Sequence, residues 1–324
     1  VAGEVRLAEH PDFEQALLRS AEQHAFSEQF VEKDYYVTEI LRVVAQRLGE
    51  QAMFKGGTSL SKGWGLISRF SEDIDLFVNP ERFDPPPGKN KMNHILKDLS
   101  VAVAEIPALT WLREEGETIG GFGRKDLFGY ETLFGELPGI RAAVRLEPGI
   151  GSGTFPTEEV PITSFVAQFL QEEGSAEFAE VEDLNGFEMT LLHYRRTFVE
   201  KMFALHGKVV RLQEGGPALG RDARHYSDLY VLAGEHEVRA MLASPEYEEI
   251  RRDYDEKSRE FFANSYRPPD GLSFAQSPAL FPPSSLREGL AQAYDEQCQL
   301  LFSTKDYPEF GSVLSRFEEI RELI

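Results

Sequence analysis

Six residues, Asp73-Ile74-Asp75-Leu76-Phe77-Val78, constrain this chain more than any other stretch. They are rich in β-forming side chains and are closed by Asn79-Pro80 and then by the loop Pro85-Pro86-Pro87-Gly88, which cannot belong to a central strand. The run therefore predicts a strand with defined ends. Side chains alternate along a strand, so Asp73 and Asp75 project from one face while Ile74 and Leu76 point to the other, into a core. Two carboxylates side by side repel unless something neutralises them, and a hard divalent cation with oxygen ligands, such as Mg2+, is the usual solution. The bland alternative is an exposed strand end with two solvated aspartates, and a D-x-D tripeptide alone does not choose between the two.

The preceding stretch bears on that choice. Met53 and Phe54 lead into Gly56-Gly57-Thr58-Ser59-Leu60-Ser61-Lys62, which reads as strand, tight turn and short helix. Two glycines permit close backbone approach, hydroxyls donate to phosphate oxygens, and N–H groups at a helix start attract anions, so a triphosphate fits over Gly56, Gly57, Thr58, Ser59 and Lys62. The competing reading is a glycine turn with Thr58 or Ser59 as an ordinary N-cap. The spacing is not that of a Walker A loop.

Around these motifs the chain divides by pattern. Phe13 to Leu48 carries apolar residues at three- and four-residue spacing, which predicts helices before the first motif. Met92 to Ile106 reads as helical, and the glycine-broken stretch from Trp111 to Leu146 as several short strands joined by turns. Ala143, Arg145 and Glu147 share one face of a strand that ends at Pro148-Gly149. Beyond Gly153, Ile162 to Glu172 and Asp183 to Val210 have helical spacing, and five prolines between Tyr266 and Gly289 predict an extended connection before two last helices, near Leu286 to Phe302 and Gly311 to Leu323. A first lobe of mixed α and β structure is thus followed by a mainly helical second lobe.

Composition narrows the partners. With 34 Lys plus Arg against 55 Asp plus Glu, the net charge of −21 excludes polyanion binding by overall field, so any nucleic-acid contact must be local. Between His193 and His225, Arg195, Arg196, Lys201, Lys208, Arg211, Arg221 and Arg224 face only Glu200, Glu214 and Asp222, which is either a local basic surface or a solvated helix face. The single cysteine, Cys298, excludes a disulfide framework and a cysteine-rich zinc site and fits a reducing compartment. The first residues carry acids and lack the apolar core of a secretory signal, and no apolar stretch approaches the roughly 20 residues of a bilayer span, so a cytoplasmic protein without membrane contact is expected.

The order glycine-hydroxyl turn, helix and D-x-D strand resembles the nucleotidyltransferase fold of the polymerase-β type. The chain is similar more specifically to the AbiEii-type nucleotidyltransferase toxins, a family that includes the MenT toxins of bacterial toxin–antitoxin systems. The residues that carry the resemblance are Glu32-Lys33-Asp34-Tyr35-Tyr36, Lys55 to Lys62, Arg69-Phe70-Ser71-Glu72-Asp73-Ile74-Asp75-Leu76, Arg196 to Lys201, Ala204-Leu205-His206 and Arg224-His225-Tyr226-Ser227-Asp228-Leu229-Tyr230. It implies an α+β fold: a nucleotidyltransferase lobe over residues 1–155, a small mixed sheet with helices, and a mainly helical lobe over 156–324 that contributes Lys201 and Asp228 to the cleft. It also implies that Ser71, Asp73, Lys201 and Asp228 are catalytic positions, with Asp75 the second carboxylate. A third carboxylate is common in this fold, which nominates Glu147 as a further metal ligand beside Asp73 and Asp75.

The residues leave local alternatives. Lys201 lies at the margin of a buried stripe, where it either leans into a cleft or snorkels to the surface. Asp228 either points inward or pairs with Arg224 at i, i+4. His206 and His225 lack metal-ligand spacing and read as packing or capping residues. The expected reaction is attack by an acceptor hydroxyl on the α-phosphate of a nucleoside triphosphate, with Mg2+ stabilising the developing charge. By resemblance the acceptor is the 3′ end of tRNA, the outcome is growth arrest, and the partner is a cognate antitoxin. The competing functions are a small-molecule nucleotidyltransferase of the antibiotic-modifying kind and a non-catalytic sequestering protein.

Overall fold

A computed structural model describes residues 6–67, 69, 73–136, 141–174, 178, 181–302 and 307–324. The chain forms two compact units, the first made of residues 1–63, 70–150 and 158–191, the second of residues 64–69, 151–157 and 192–324.

The first unit is built on a mixed sheet. Helices α1 (Phe13–His24) and α2 (Glu28–Leu48) open it, followed by β1 (Ala52–Lys55), α3 (Gly56–Lys62) and β2 (Asp73–Val78). Helix α2 starts where the Ser27 side chain accepts the Phe30 N–H and stops at Gly49, which takes the positive φ that glycine tolerates. After α4 (Lys89–Val103) come β3 (Leu109–Trp111), β4 (Glu117–Ile119), β5 (Gly123–Tyr130), β6 (Ala143–Gly149), β7 (Thr157–Ile162), α5 (Phe165–Glu173) and β8 (Phe187–Leu192). The strand order is β3-β5-β6-β2-β1-β8-β7, with β4 on β5; β2 is antiparallel to β1 and parallel to β6. Ile74 and Leu76 of β2, Met53 and Phe54 of β1, Val144 and Leu146 of β6, and Ile40, Leu41 and Val44 of α2 are all buried in the core.

Two strands depart from the sequence expectation. Asp183 to Val210 was expected to be helical throughout, yet Phe187–Leu192 is β8, aligned in parallel with β1 at Phe54 and Leu191. Six mostly apolar residues satisfy either period, and the vacant place beside β1 decides for the strand. Thr157–Ile162 shows no strand signal because it carries Pro161, which the edge position of β7 tolerates.

The second unit is mainly helical. Helix α6 (Tyr194–Gln213) is buried on most of its surface and is followed by α7 (His225–Leu232), α8 (His236–Leu242), α9 (Pro245–Phe262), α10 (Ser284–Leu301) and α11 (Phe310–Ile320). Phe203 of α6 stacks on Tyr254 of α9 at 4.6 Å and meets Phe274 edge-on at 4.8 Å. The proline-rich connection from α9 to α10 is tied down by polar contacts: His206 Nδ1 lies 2.8 Å from Ser277 Oγ, and the Tyr226 hydroxyl donates to the Ala279 carbonyl at 2.8 Å. His206 is thus the packing residue its spacing predicted.

Candidate active site

Strand β2 lies between β1 and β6, and its register gathers the charges. Lys55 of β1 aligns with Asp75, and Asp75 aligns with Glu147 of β6. Because Asp126 pairs with Leu146, Lys125 of β5 stands opposite Glu147, and Glu117 of β4 stands opposite Lys125. Across one face of the sheet the row therefore reads Lys55, Asp75, Glu147, Lys125, Glu117. Neighbours are of opposite sign except at the centre, where two carboxylates adjoin. One step along, Asp73 aligns with Arg145, whose Nη1 lies 3.5 Å from Asp73 Oδ1. Asp73 is buried, at 8% exposure.

The central like-charge pair has an electrostatic signature. Burial, then the negative charge of Asp75, push the Glu147 carboxyl up to about 7; Lys125 pulls it down and Asp73 pushes it up further. Among the described residues no three His, Cys, Asp or Glu side chains are gathered to hold a metal ion. Glu147 stands in register with Asp75 on the neighbouring strand. Mg2+ does not need a cage of protein ligands: it keeps several waters and takes one or two carboxylates plus substrate phosphates. The two hard, anionic oxygen donors of β2 beside a carboxyl strained by like charge fit that ion.

Immediately before α3, the backbone comes close to this row. Gly56 has φ +83°, and a Cβ placed there would stand 2.1 Å from Asp75 Oδ2, so only glycine lets the chain pass the carboxylate. Gly57 is buried in the first turn of α3. The hydroxyls proposed for phosphate have partners within the fold: Thr58 Oγ1 donates to the Asp73 carbonyl, fixing α3 to β2, and Ser59 Oγ donates to the Gly56 carbonyl at 2.9 Å. Neither acts as the N-cap, which is Lys55 and makes no side-chain capping bond.

Lys62 is engaged at the other end of α3. Its ammonium sits 2.6 Å from Asp34 Oδ1 and 2.7 Å from the Thr163 carbonyl, over the Phe165 ring, with 3% side-chain exposure. Asp34 Oδ2 accepts the Phe165 N–H at 2.8 Å, so this pair joins α2, α3 and the start of α5. The whole Glu32-Lys33-Asp34-Tyr35 block has an architectural part: Glu32 accepts from Thr132 Oγ1 and the Leu133 N–H, Lys33 reaches the Arg141 carbonyl, and Tyr35 donates to Asp183.

Within the second unit, Lys201 and Asp228 meet. Lys201 Nζ is 2.8 Å from Asp228 Oδ2 and 3.2 Å from His225 Nδ1. Arg69 grips the same carboxylate with a two-point fork, Nε to Oδ1 at 2.6 Å and Nη2 to Oδ2 at 2.7 Å. Arg69, Lys201 and Asp228 are all buried. Burial alone would raise the Asp228 carboxyl, but the Arg69 and Lys201 charges overcome it and hold it well below the usual carboxylate range. Burial, then the Lys201 charge, push His225 down to about 4. Lys201 therefore does not snorkel, and Asp228 has a far stronger partner than an i, i+4 pair. Arg69 lies 159 positions from Asp228 in the sequence, and nothing local to it signals this partner. Ser71 lies outside the described residues.

The basic stretch from His193 to His225 is largely neutralised by acids. Arg195 pairs with Glu237 and Glu246, Arg196 with Glu200 and Asp253, and Lys208 with Asp222, while Arg211 caps the Ser265 carbonyl. Among the described residues no helix is long and apolar enough to cross a membrane.

Residues 39–316 match the family model described as nucleotidyl transferase AbiEii toxin, type IV TA system. No curated protein matches the chain. The family comprises nucleotidyltransferase toxins of toxin–antitoxin systems, which implies a nucleoside triphosphate as substrate, a cognate antitoxin, and usually a divalent metal. With most of its length matched, and with a mixed sheet followed by a helical part as that fold requires, this chain belongs to the AbiEii nucleotidyl transferase toxin family.

Proposed function

We propose that the protein transfers a nucleotide from a nucleoside triphosphate to the 3′ end of tRNA in the cytoplasm, in a Mg2+-dependent reaction that blocks translation. The observation that carries the reading is the paired carboxylates of β2 beside a glycine whose Cβ would overlap Asp75. Asp73 and Asp75 would hold the cation, and Glu147, near its titration point, would join as a third carboxylate once a cation offsets its neighbours. The cation supplies the positive charge that stabilises the transferring phosphoryl group and aligns the attacking and leaving oxygens.

The chain's own groups do the rest. The backbone at Gly56 and Gly57 admits the triphosphate close to β2, and Thr58 and Ser59 hold α3 in the position that makes this approach. Lys201 is proposed as a catalytic position on the strength of the family resemblance, and within its own unit Asp228 fixes the lysine. Ser71 is proposed to contact phosphate. Lys62, bound to Asp34, keeps α3 in place and does not itself meet the nucleotide. The tRNA acceptor rests on the family resemblance; the pairing of the basic stretch offers it no broad cationic surface there.

The test supplies the purified protein with Mg2+ and each α-labelled triphosphate in turn, with total RNA in one arm and aminoglycosides in the other. Label in tRNA supports the reading, label in the small molecule replaces the acceptor, and label in neither, with toxicity retained by Asp73→Ala and Lys201→Ala, establishes sequestration instead.

A further inference from the structure

Most cations of the described residues are matched by acids, and three that are not stand together on one helix. Lys89, Lys91 and Lys97 of α4 are exposed, and among the described residues none of them makes an ion pair. Arg82 before them pairs with Glu50, and Arg124 on the neighbouring β5 grips Asp126 with two bonds of 2.9 Å. In a protein with 55 acidic residues, the stretch from Pro85 to Lys97 contains none; the acids at its margins, Asp84 and Asp98, are exposed. At about 100° per residue, Lys97, Asn90, His94 and Lys91 cover an outward arc of about 120°, opposite the buried Met92, Leu96 and Leu99. Helix stability does not account for this composition. Lys89 and Lys91 fill a first turn that holds no acid and follows a glycine N-cap, where cations oppose the helix dipole.

This face adjoins the carboxylate row within the first unit. The Ser100 hydroxyl donates to Asp126 Oδ2 at 2.6 Å, which lays α4 along β5. At the start of the helix the Lys89 stem crosses the turn between β4 and β5, its Cε 2.6 Å from where a Cβ on Gly121 would stand. Gly120 and Gly121 both have positive φ and leave that turn without a side chain at its tip. From there β5 carries Lys125 into the row beside Glu147, and strand rise and spacing place Gly121 about 16 Å from Asp75. We propose that Lys89, Asn90, Lys91, His94 and Lys97, with the glycine turn beside them, form a contact surface for the sugar–phosphate backbone of the RNA acceptor. This rests on the reading of tRNA as the acceptor. A stacked strand advances about 3.4 Å per nucleotide, so an acceptor end held at Asp73 and Asp75 brings the phosphates about five nucleotides back to Lys89. The ammonium groups meet phosphates as point charges, and the Asn90 amide donates to phosphate and sugar oxygens. His94, whose Nδ1 donates to the Asn90 carbonyl at 2.7 Å, presents Nε2 to a ribose hydroxyl. With a net charge of −21 repelling a polyanion at a distance, a local acid-free face is where such a contact forms.

The experiment measures binding of labelled tRNA to the full chain by fluorescence anisotropy from about 0.05 M to about 0.3 M salt, and transfer kinetics with tRNA as the varied substrate. It compares the wild type with a variant carrying Lys89→Gln, Lys91→Gln and Lys97→Gln, and with a control that removes the same charge elsewhere through Arg252→Gln, Lys257→Gln and Arg287→Gln. At ~0.15 M salt the α4 variant is expected to bind tRNA about tenfold or more weakly, with the slope of log affinity against log salt shallower by about 2 to 3, since each phosphate contact contributes about 0.7 to 0.9. Its KM for tRNA rises by a similar factor, while its KM for the triphosphate is unchanged and its melting temperature does not fall, because lysines that oppose the helix dipole hold nothing in the fold. Wild-type affinity and slope in the α4 variant, or an equal loss in the control, would overturn the proposal while leaving transfer to tRNA intact. Loss of binding to a polyglutamate peptide with tRNA binding retained would assign the face to an acidic protein partner and overturn it equally. A wild type that neither binds nor labels tRNA would remove the functional reading itself, and this surface with it.

Discussion

Replacing Glu147 by glutamine should make the metal-free protein more stable, and more so at higher pH. In the fold, burial and the Asp75 charge raise this carboxyl from 4.5 to about 7, so the folded state binds its proton more tightly than the unfolded chain does. The sign follows directly: a raised value stabilises the fold while the group is protonated, and that contribution disappears as the pH rises from the unfolded value through the folded one. Between 4.5 and about 7, at 1.36 kcal/mol per pH unit, the span is worth about 3 kcal/mol. Above pH 8 the wild type carries this cost in full, whereas near pH 5 less than about 1 kcal/mol separates the two proteins, since the folded carboxyl is still protonated. Glutamine keeps the size of the side chain and removes the charge. Urea unfolding at pH 5, 6, 7 and 8 in the presence of a chelator measures the difference, and adding Mg2+ should narrow it by favouring the ionised carboxylate. A gap that does not grow with pH, or a glutamine variant less stable than wild type at pH 8, would refute the placement of Glu147 beside Asp75.

Three further outcomes are expected. Asp73→Asn and Asp75→Asn should each lower kcat by at least about a hundredfold, with far-ultraviolet circular dichroism unchanged, since each would remove a charge proposed to hold the cation. Gly56→Ala should abolish transfer and lower the melting temperature, because its Cβ would overlap the Asp75 carboxylate and its φ is unsuited to a side chain; a fully active alanine variant would contradict the close approach of backbone to β2. Asp34→Asn should cost about 3–5 kcal/mol in urea unfolding by leaving the Lys62 ammonium buried without its counter-ion; a change under about 1 kcal/mol would show that this pair is not a structural tie.

What the sequence disclosed and what it concealed divide along the range of the interactions. The β2 strand was readable because its alternation, its β-forming residues and its closing Asn79-Pro80 all act locally, and α1, α2, α4, α10 and α11 were readable for the same reason. Strand β8 was not: its apolar residues satisfy more than one local structure, and its state is set by β1, more than a hundred residues away. The same contrast holds in the site. Two neighbouring aspartates announce themselves, but the assignment of Arg69 to Asp228, of Asp34 to Lys62 and of Lys125 to Glu147 depends on the topology of the folded chain. The cluster of cations between His193 and His225 misled for the complementary reason. Its acids Glu237, Glu246 and Asp253 come from α8 and α9, so local counting finds an excess that folding removes.

The threading of the chain has a practical corollary. The second unit borrows residues 64–69 and 151–157 from within the span of the first, and one of these loans contains Arg69. Severing the polypeptide after Leu191 would hand the first fragment the guanidinium on which Asp228 depends. A split-toxin reporter or a minimal-domain expression clone cut at that apparent boundary would therefore yield a helical fragment in which Asp228 keeps Lys201 and loses its guanidinium partner. Permutants that keep both short segments with the C-terminal portion are the designs that preserve this arrangement.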